Sequence, residues 1–178
     1  MAAEPDPGLA SRVREAALLE GDFVLSSGKK SRFYVDKYLF STEPGLLREL
    51  AREISARLSD NVERLAGVEL GAVPLVAAAS LQSGLSYGIV RKGAKEYGPA
   101  NRIEGLPLEA GEKVVLIEDV VTTGTQVLRA AATLEEAGAE MLGILAVLDR
   151  RDEDSASLAG YPFEALLRLE DLGVTSGD

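Results

Sequence analysis

Two carboxylates followed closely by a hydroxyl-rich turn are the residues of this chain best placed to do chemistry. Residues 113–126, Lys-Val-Val-Leu-Ile-Glu-Asp-Val-Val-Thr-Thr-Gly-Thr-Gln, pass from an apolar strand through Glu118 and Asp119 into Thr122, Thr123, Gly124 and Thr125, then enter a helix. Backbone N–H groups at a helix start lack partners within the helix, and the positive end of its dipole lies there, so such a turn attracts a phosphate. Gly124 permits close backbone approach or a positive φ. Glu118 and Asp119 would repel a phosphate but can accept hydrogen bonds from neighbouring sugar hydroxyls. A phosphorylated sugar satisfies both halves. A plainer reading, a threonine-capped helix with two acids in its approach, stays open on spacing alone. No G-x-G-x-x-G follows a strand and no Walker A loop is present, which argues against a dinucleotide or P-loop site.

The 178 residues include no Cys and no His. That removes disulfides, thiolate nucleophiles, imidazole acid-base catalysis and the commonest ligand of zinc or copper. Chemistry is left to Lys, Arg, Asp, Glu, Thr, Tyr, backbone amides or a hard oxygen-bound metal. The formal charge of -10 opposes general binding to nucleic acid, so local basic clusters carry information. Residues 28–38 hold Lys29, Lys30, Arg32 and Lys37 against Asp36; residues 91–102 hold Arg91, Lys92, Lys95 and Arg102 against Glu96. Both suggest small anionic ligands, with a pair of solvated basic loops as the alternative.

These residues need a scaffold, and the chain is long enough for one domain of the usual size of about 100–200 residues. Helical spacing predicts a first helix over residues 8–20 and a second starting at Glu43-Pro44, with Leu46, Leu47, Leu50, Ala51, Ile54 and Leu58 on its apolar face. Apolar runs at 65–70, 87–90, 114–117, 141–148 and 163–169 alternate with helical stretches at 74–82 and 125–137, the latter closed by Gly138. That alternation predicts an α/β fold with a central parallel sheet covered on both faces, and ligands beyond the carboxyl ends of its strands. The loops of interest follow Leu70, Val90, Ile117 and Leu148. No apolar stretch approaches the roughly 20 residues of a membrane-spanning helix. The first residues do not resemble a secretory signal, so a cytoplasmic location is expected.

The run from Val114 to Thr125 resembles the phosphoribosyl-pyrophosphate motif of type I phosphoribosyltransferases. Three further segments are similar to orotate phosphoribosyltransferases. Residues 21–40 resemble their amino-terminal hood, in which the backbone around Phe33, Tyr34 and Val35 would face the base. Residues 69–75, Glu-Leu-Gly-Ala-Val-Pro-Leu, resemble the pyrophosphate-side loop, at Leu70 and Gly71. Residues 91–98 and 102–105 resemble the mobile catalytic loop. The resemblance implies the type I fold: one domain over 1–178, with a hood of about 1–40 plus the carboxyl-terminal segment, over a core of about 41–160.

The resemblance also assigns roles. The donor would be bound by Arg91, Lys92, Lys95, Tyr97, Glu118, Asp119, Val120, Val121, Thr122, Thr123, Gly124, Thr125 and Gln126, with Lys95 and Asp119 as catalytic residues. Orotate would meet Thr122, Tyr34, Val35 and Arg150, whose guanidinium suits a carboxylate. Arg151 reads as a surface charge. Mg²⁺ would be held mainly through substrate oxygens, with no dedicated protein ligands. The implied assembly is a homodimer with shared sites, without nucleic acid or membrane. Such chemistry orients reactants and neutralises a leaving group, so it needs no histidine. The chain departs from the family pattern at Tyr97, where many members have His, at Ser26, where many have Lys, and at Pro99-Ala100-Asn101 in place of a glycine-rich stretch. Two alternatives remain at this level: a purine-type transferase, and a non-enzymatic sensor of phosphoribosyl pyrophosphate.

Overall fold

In the computed structural model, the residues described are 7–24, 28, 30–93, 102–151 and 156–175. Helix α1 (Pro7–Ala17) leads into an antiparallel hairpin of β1 (Leu18–Val24) and β2 (Lys30–Val35), followed by the short helix α2 (Lys37–Thr42). The first helix therefore ends three residues before the predicted Glu20. Leu18 and Leu19 continue the apolar pattern, but cross-strand pairing of Leu18 with Val35 and Leu19 with Tyr34 takes them instead.

Helix α3 (Pro44–Ala56) begins as predicted, with proline in its first turn and the Glu43 carboxylate accepting from the N–H groups of Gly45 and Leu46. It buries Leu46, Leu50, Ala51 and Ile54. The main sheet then forms from β3 (Arg64–Val68), β4 (Ser86–Val90), β5 (Ile103–Gly105), β6 (Lys113–Val121), β7 (Glu140–Asp149), β8 (Ser157–Leu158) and β9 (Tyr161–Arg168). Its order is β5-β4-β3-β6-β7-β9-β8, with β3, β4, β6, β7 and β9 parallel and the edge strands β5 and β8 antiparallel to their neighbours.

Both faces are covered, which explains the nearly continuous apolar strands. On one face Leu65 and Ile117 pack with α1, α3 and helix α4 (Ala72–Ser83). On the other, Ala66, Val68, Val114 and Leu116 pack against Val127, Ala130, Ala131 and Leu134 of helix α5 (Thr125–Glu136). A short 3-10 helix (Glu170–Leu172) returns the chain end to α1, where the Arg14 guanidinium donates to the Leu172 carbonyl.

Chain order places β4 on one side of β3 and β6 on the other. The crevice where strand order reverses therefore opens above the carboxyl ends of β3 and β6, the usual position for a ligand in an open α/β sheet. Gly71 caps α4 just beyond β3, while Glu118 and Asp119 lie near the end of β6.

Candidate functional site

At this switch point the two carboxylates are almost fully enclosed: Glu118 is 7% exposed and Asp119 1%. Asp119 Oδ1 accepts from the Val120 N–H at 2.6 Å, and Glu118 Oε1 accepts from the Asp119 N–H at 3.1 Å. Burial, reinforced by the adjacent Asp119 carboxylate, pushes Glu118 up to about 8. A Glu118 carboxyl that keeps its proton at neutral pH gives this site a hydrogen-bond donor as well as acceptors for a polar ligand.

The turn after β6 is open in the manner a phosphate requires. Gly124 stands at the cap position of α5 with φ of 76°, and no side chain caps the helix there. The Thr123 and Thr125 hydroxyls lie 3.0 Å apart on the exposed side, with Thr122 and Gln126 also exposed. A threonine does serve the helix start, since the Thr123 hydroxyl accepts from the Thr125 N–H at 3.4 Å, but the cap position itself is Gly124. A side chain at Gly124 would be strained by its φ and would meet Leu158 at 2.9 Å, so the backbone course depends on glycine. Val121 is buried, and its carbonyl accepts from the Arg150 N–H at 2.8 Å. Val121 therefore belongs to the sheet ladder, paired with Asp149, and anchors the start of the turn.

Across the crevice, a Cβ on Gly71 would fall 1.5 Å from Asp119 Oδ2. Glycine here serves close approach, since its φ of -70° is open to any residue. The Glu69–Leu70 peptide is cis and Leu70 is 64% exposed. Glu69 ties this loop to the end of β4: its Oε1 accepts from the Lys92 N–H at 2.5 Å, and its Oε2 lies 3.6 Å from Arg91 Nε. Arg91 also reaches Glu104 at 3.5 Å. Arg91 and Lys92 line a cavity of about 270 Å³ with Arg102, Gln126 and Arg129. Arg129 was not legible as part of a basic cluster because α5 brings it there from a distant part of the chain.

Arg150 lies beside the same loop. In the β6–β7 register Val121 pairs with Asp149, so Thr122 and Arg150 leave neighbouring strands side by side. The Arg150 guanidinium is 5.8 Å from the centre of the Phe33 ring, is partly buried, and forms no ion pair with any described residue. Burial lowers its pKa, while nearby Tyr34 acts to raise it. Tyr34 is 40% exposed, whereas Phe33 and Val35 point into the core. Arg151 is not the surface charge expected. Its guanidinium grips Asp149 through two hydrogen bonds of 3.0 and 2.9 Å and stacks 4.2 Å over Phe163, fixing the strand end from which Arg150 projects.

Lys37 escaped the sequence reading except as one of four bases in its cluster. Its Nζ lies 2.7 Å from Asp119 Oδ2. Lys95 and Tyr97 lie outside the described residues. Among the described residues no three acidic side chains gather as a metal site, and no helix is long and apolar enough to cross a membrane. The buried Glu118–Asp119 pair is suited to sugar hydroxyls, so the donor set fits a hard cation that arrives on substrate oxygens.

Residues 44–161 match the phosphoribosyl transferase domain family. An orotate phosphoribosyltransferase of Natronomonas pharaonis is 45% identical over 171 residues, covering 96% of this chain and 94% of the relative. Among solved structures, the orotate phosphoribosyltransferase of Mycobacterium tuberculosis in complex with Fe(III) dicitrate is 31% identical, with a TM-score of 0.78 and coverage of 94% and 98%. That of Aeropyrum pernix is 29% identical, with a TM-score of 0.78 and coverage of 92% and 95%.

Proposed function

Because the chain belongs to the orotate phosphoribosyltransferases of the phosphoribosyl transferase domain family, we propose that it transfers the 5-phosphoribosyl group from phosphoribosyl pyrophosphate to orotate. The products are orotidine 5'-monophosphate and pyrophosphate, in pyrimidine nucleotide synthesis. The single observation that carries orotate as the base is the Arg150 guanidinium, which lies partly buried over Phe33 without an ion-pair partner among the described residues and one step from Thr122 across the β6–β7 pair. A purine base offers it no carboxylate.

The donor's 5-phosphate takes the backbone N–H groups and hydroxyls of the turn at Thr122, Thr123, Gly124 and Thr125, with Gln126 beside them. Its ribose hydroxyls meet Glu118 and Asp119, and its pyrophosphate lies toward Leu70, Gly71 and Lys92. Orotate is held through its carboxylate by Arg150, with Thr122, Tyr34 and the backbone at Val35 around the ring. As the bond from ribose C1 to pyrophosphate lengthens and the orotate nitrogen approaches, the sugar becomes oxocarbenium-like. Anionic Asp119 stabilises that state, and Lys95 with Arg91 neutralises the departing pyrophosphate. Mg²⁺, carried on donor oxygens, would supply further charge neutralisation.

We place the protein in the cytoplasm as a homodimer in which the loop containing Lys95 and Tyr97 serves the partner's site. Helix α4 supports the pairing: it is uncharged, apolar from Ala72 to Ala79, and carries Leu81 at 89% exposure. The hood, about 1–40 with the chain end, closes over a core of about 41–160. The test is to incubate protein, Mg²⁺ and phosphoribosyl pyrophosphate with orotate, adenine or hypoxanthine and follow base absorbance. Orotate alone should be consumed; consumption of a purine without orotate would overturn the assignment.

A further inference from the structure

The ion pair between Lys37 and Asp119 joins the hood to the donor loop and compensates a buried carboxylate. Lys37 opens α2, where the helix dipole disfavours a cation. The helix does not need it: Asp36 caps the first turn by accepting from the Tyr38 N–H, and Phe40 anchors the other side at 0% exposure. Yet the side chain crosses to β6, where its ammonium meets the almost inaccessible Asp119 carboxylate at 2.7 Å. Gly71 leaves the space for this meeting, since its Cβ would fall 3.2 Å from Lys37 Nζ and 1.5 Å from Asp119 Oδ2.

We propose that Lys37 is a positioning residue: its ion pair fixes the Asp119 carboxylate beside the crevice and aims it at the donor's ribose hydroxyls. This rests on the reading of Glu118 and Asp119 as the ribose-binding pair. The titratable groups acting on the ammonium are Asp119 and Glu118 on β6 and Tyr38 on its own helix, and Gly71 at the start of α4 adds no titratable group. Burial opposes the charge on Lys37, but the hydrogen bond and charge of Asp119 outweigh it, and its pKa is raised. Lys37 correspondingly acts to lower Glu118, against the stronger effects of burial and Asp119. Without the ammonium Glu118 would hold its proton to higher pH, and the Asp119 carboxylate would lose the contact that fixes it.

The experiment compares Lys37→Met, Lys37→Gln and Lys37→Arg with the native enzyme, after melting curves confirm the fold. Donor KM and kcat are measured across the pH range in saturating orotate, and base choice is scored separately. Losing the ion pair should raise donor KM about ten- to a hundredfold in Lys37→Met, and kcat should fall with it because Asp119 also stabilises the oxocarbenium-like state. The acid limb of kcat/KM for the donor should move up by about one pH unit. Lys37→Arg should restore both, and Lys37→Gln serves if the methionine variant does not fold. An unmoved limb, a loss confined to kcat, or an arginine variant as impaired as the methionine one would overturn the proposal. The reading of the protein as an orotate enzyme is judged separately, by whether every variant still prefers orotate to adenine.

Discussion

The Arg150 guanidinium lies 5.8 Å from the centre of the Phe33 ring, joining the end of β7 to the hood strand β2. Phe33 itself is only 3% exposed, so the ring is a fixed support for the arginine, which has no ion pair among the described residues. Replacing Phe33 with Leu keeps an apolar residue and removes the ring face, a contact worth about 0.5–2 kcal/mol. Orotate KM should rise about two- to thirtyfold, while donor KM stays constant in steady-state kinetics. A change confined to donor KM would contradict this role.

Gly71 approaches Asp119 so closely that a methyl group cannot coexist with the present carboxylate position. In Gly71→Ala the carboxylate or the loop must move, at a cost of about 1–3 kcal/mol. Donor binding, measured by titration calorimetry without base, should weaken by about tenfold or more. Unaltered donor affinity would show that the ribose hydroxyls do not use Asp119.

The motif around Asp119 was legible because each part is contiguous: strand, acids, turn and helix follow within 113–126, and α5 starts at the expected Thr125. Arg150 was legible only through resemblance, since nothing local separates it from Arg151. The structure separates them through Asp149, which takes Arg151 and leaves Arg150 without an ion pair among the described residues. Lys37 was hidden because its importance arises from a contact with a residue 82 positions away in sequence, at 2.7 Å in space. The hairpin at Leu18 was missed for a related reason: its register with β2 overrides a helical pattern that local spacing supports.

Glu118 makes stability depend on pH. Its pKa rises from 4.5 to about 8 on folding, so the folded protein binds the proton more tightly than the unfolded chain. The stabilisation this gives is complete below the unfolded value and is lost as pH rises through the folded value. Glu118→Gln, which is neutral at every pH, should therefore melt higher than the native protein at about pH 9 and much closer to it at about pH 5. Equal differences at the two pH values would rule out a buried, neutral Glu118.

Lys95 tests the leaving-group assignment. Loss of one preorganised donor to a developing charge typically costs about 10²–10³ in rate. Lys95→Ala should show that fall in kcat, with its melting temperature preserved. Unchanged turnover would remove Lys95 from the mechanism.

The central claim is that a carboxylate selects Arg150. Orotate and uracil share a ring and differ in that carboxylate, so their ratio in the native enzyme and in Arg150→Met measures the claim directly. In the native enzyme orotate should bind far better than uracil in competition assays at fixed donor. In Arg150→Met orotate affinity should fall about a hundredfold or more, with uracil nearly unchanged, so that the preference collapses. An Arg150→Met enzyme that still favours orotate by the native ratio would contradict the account.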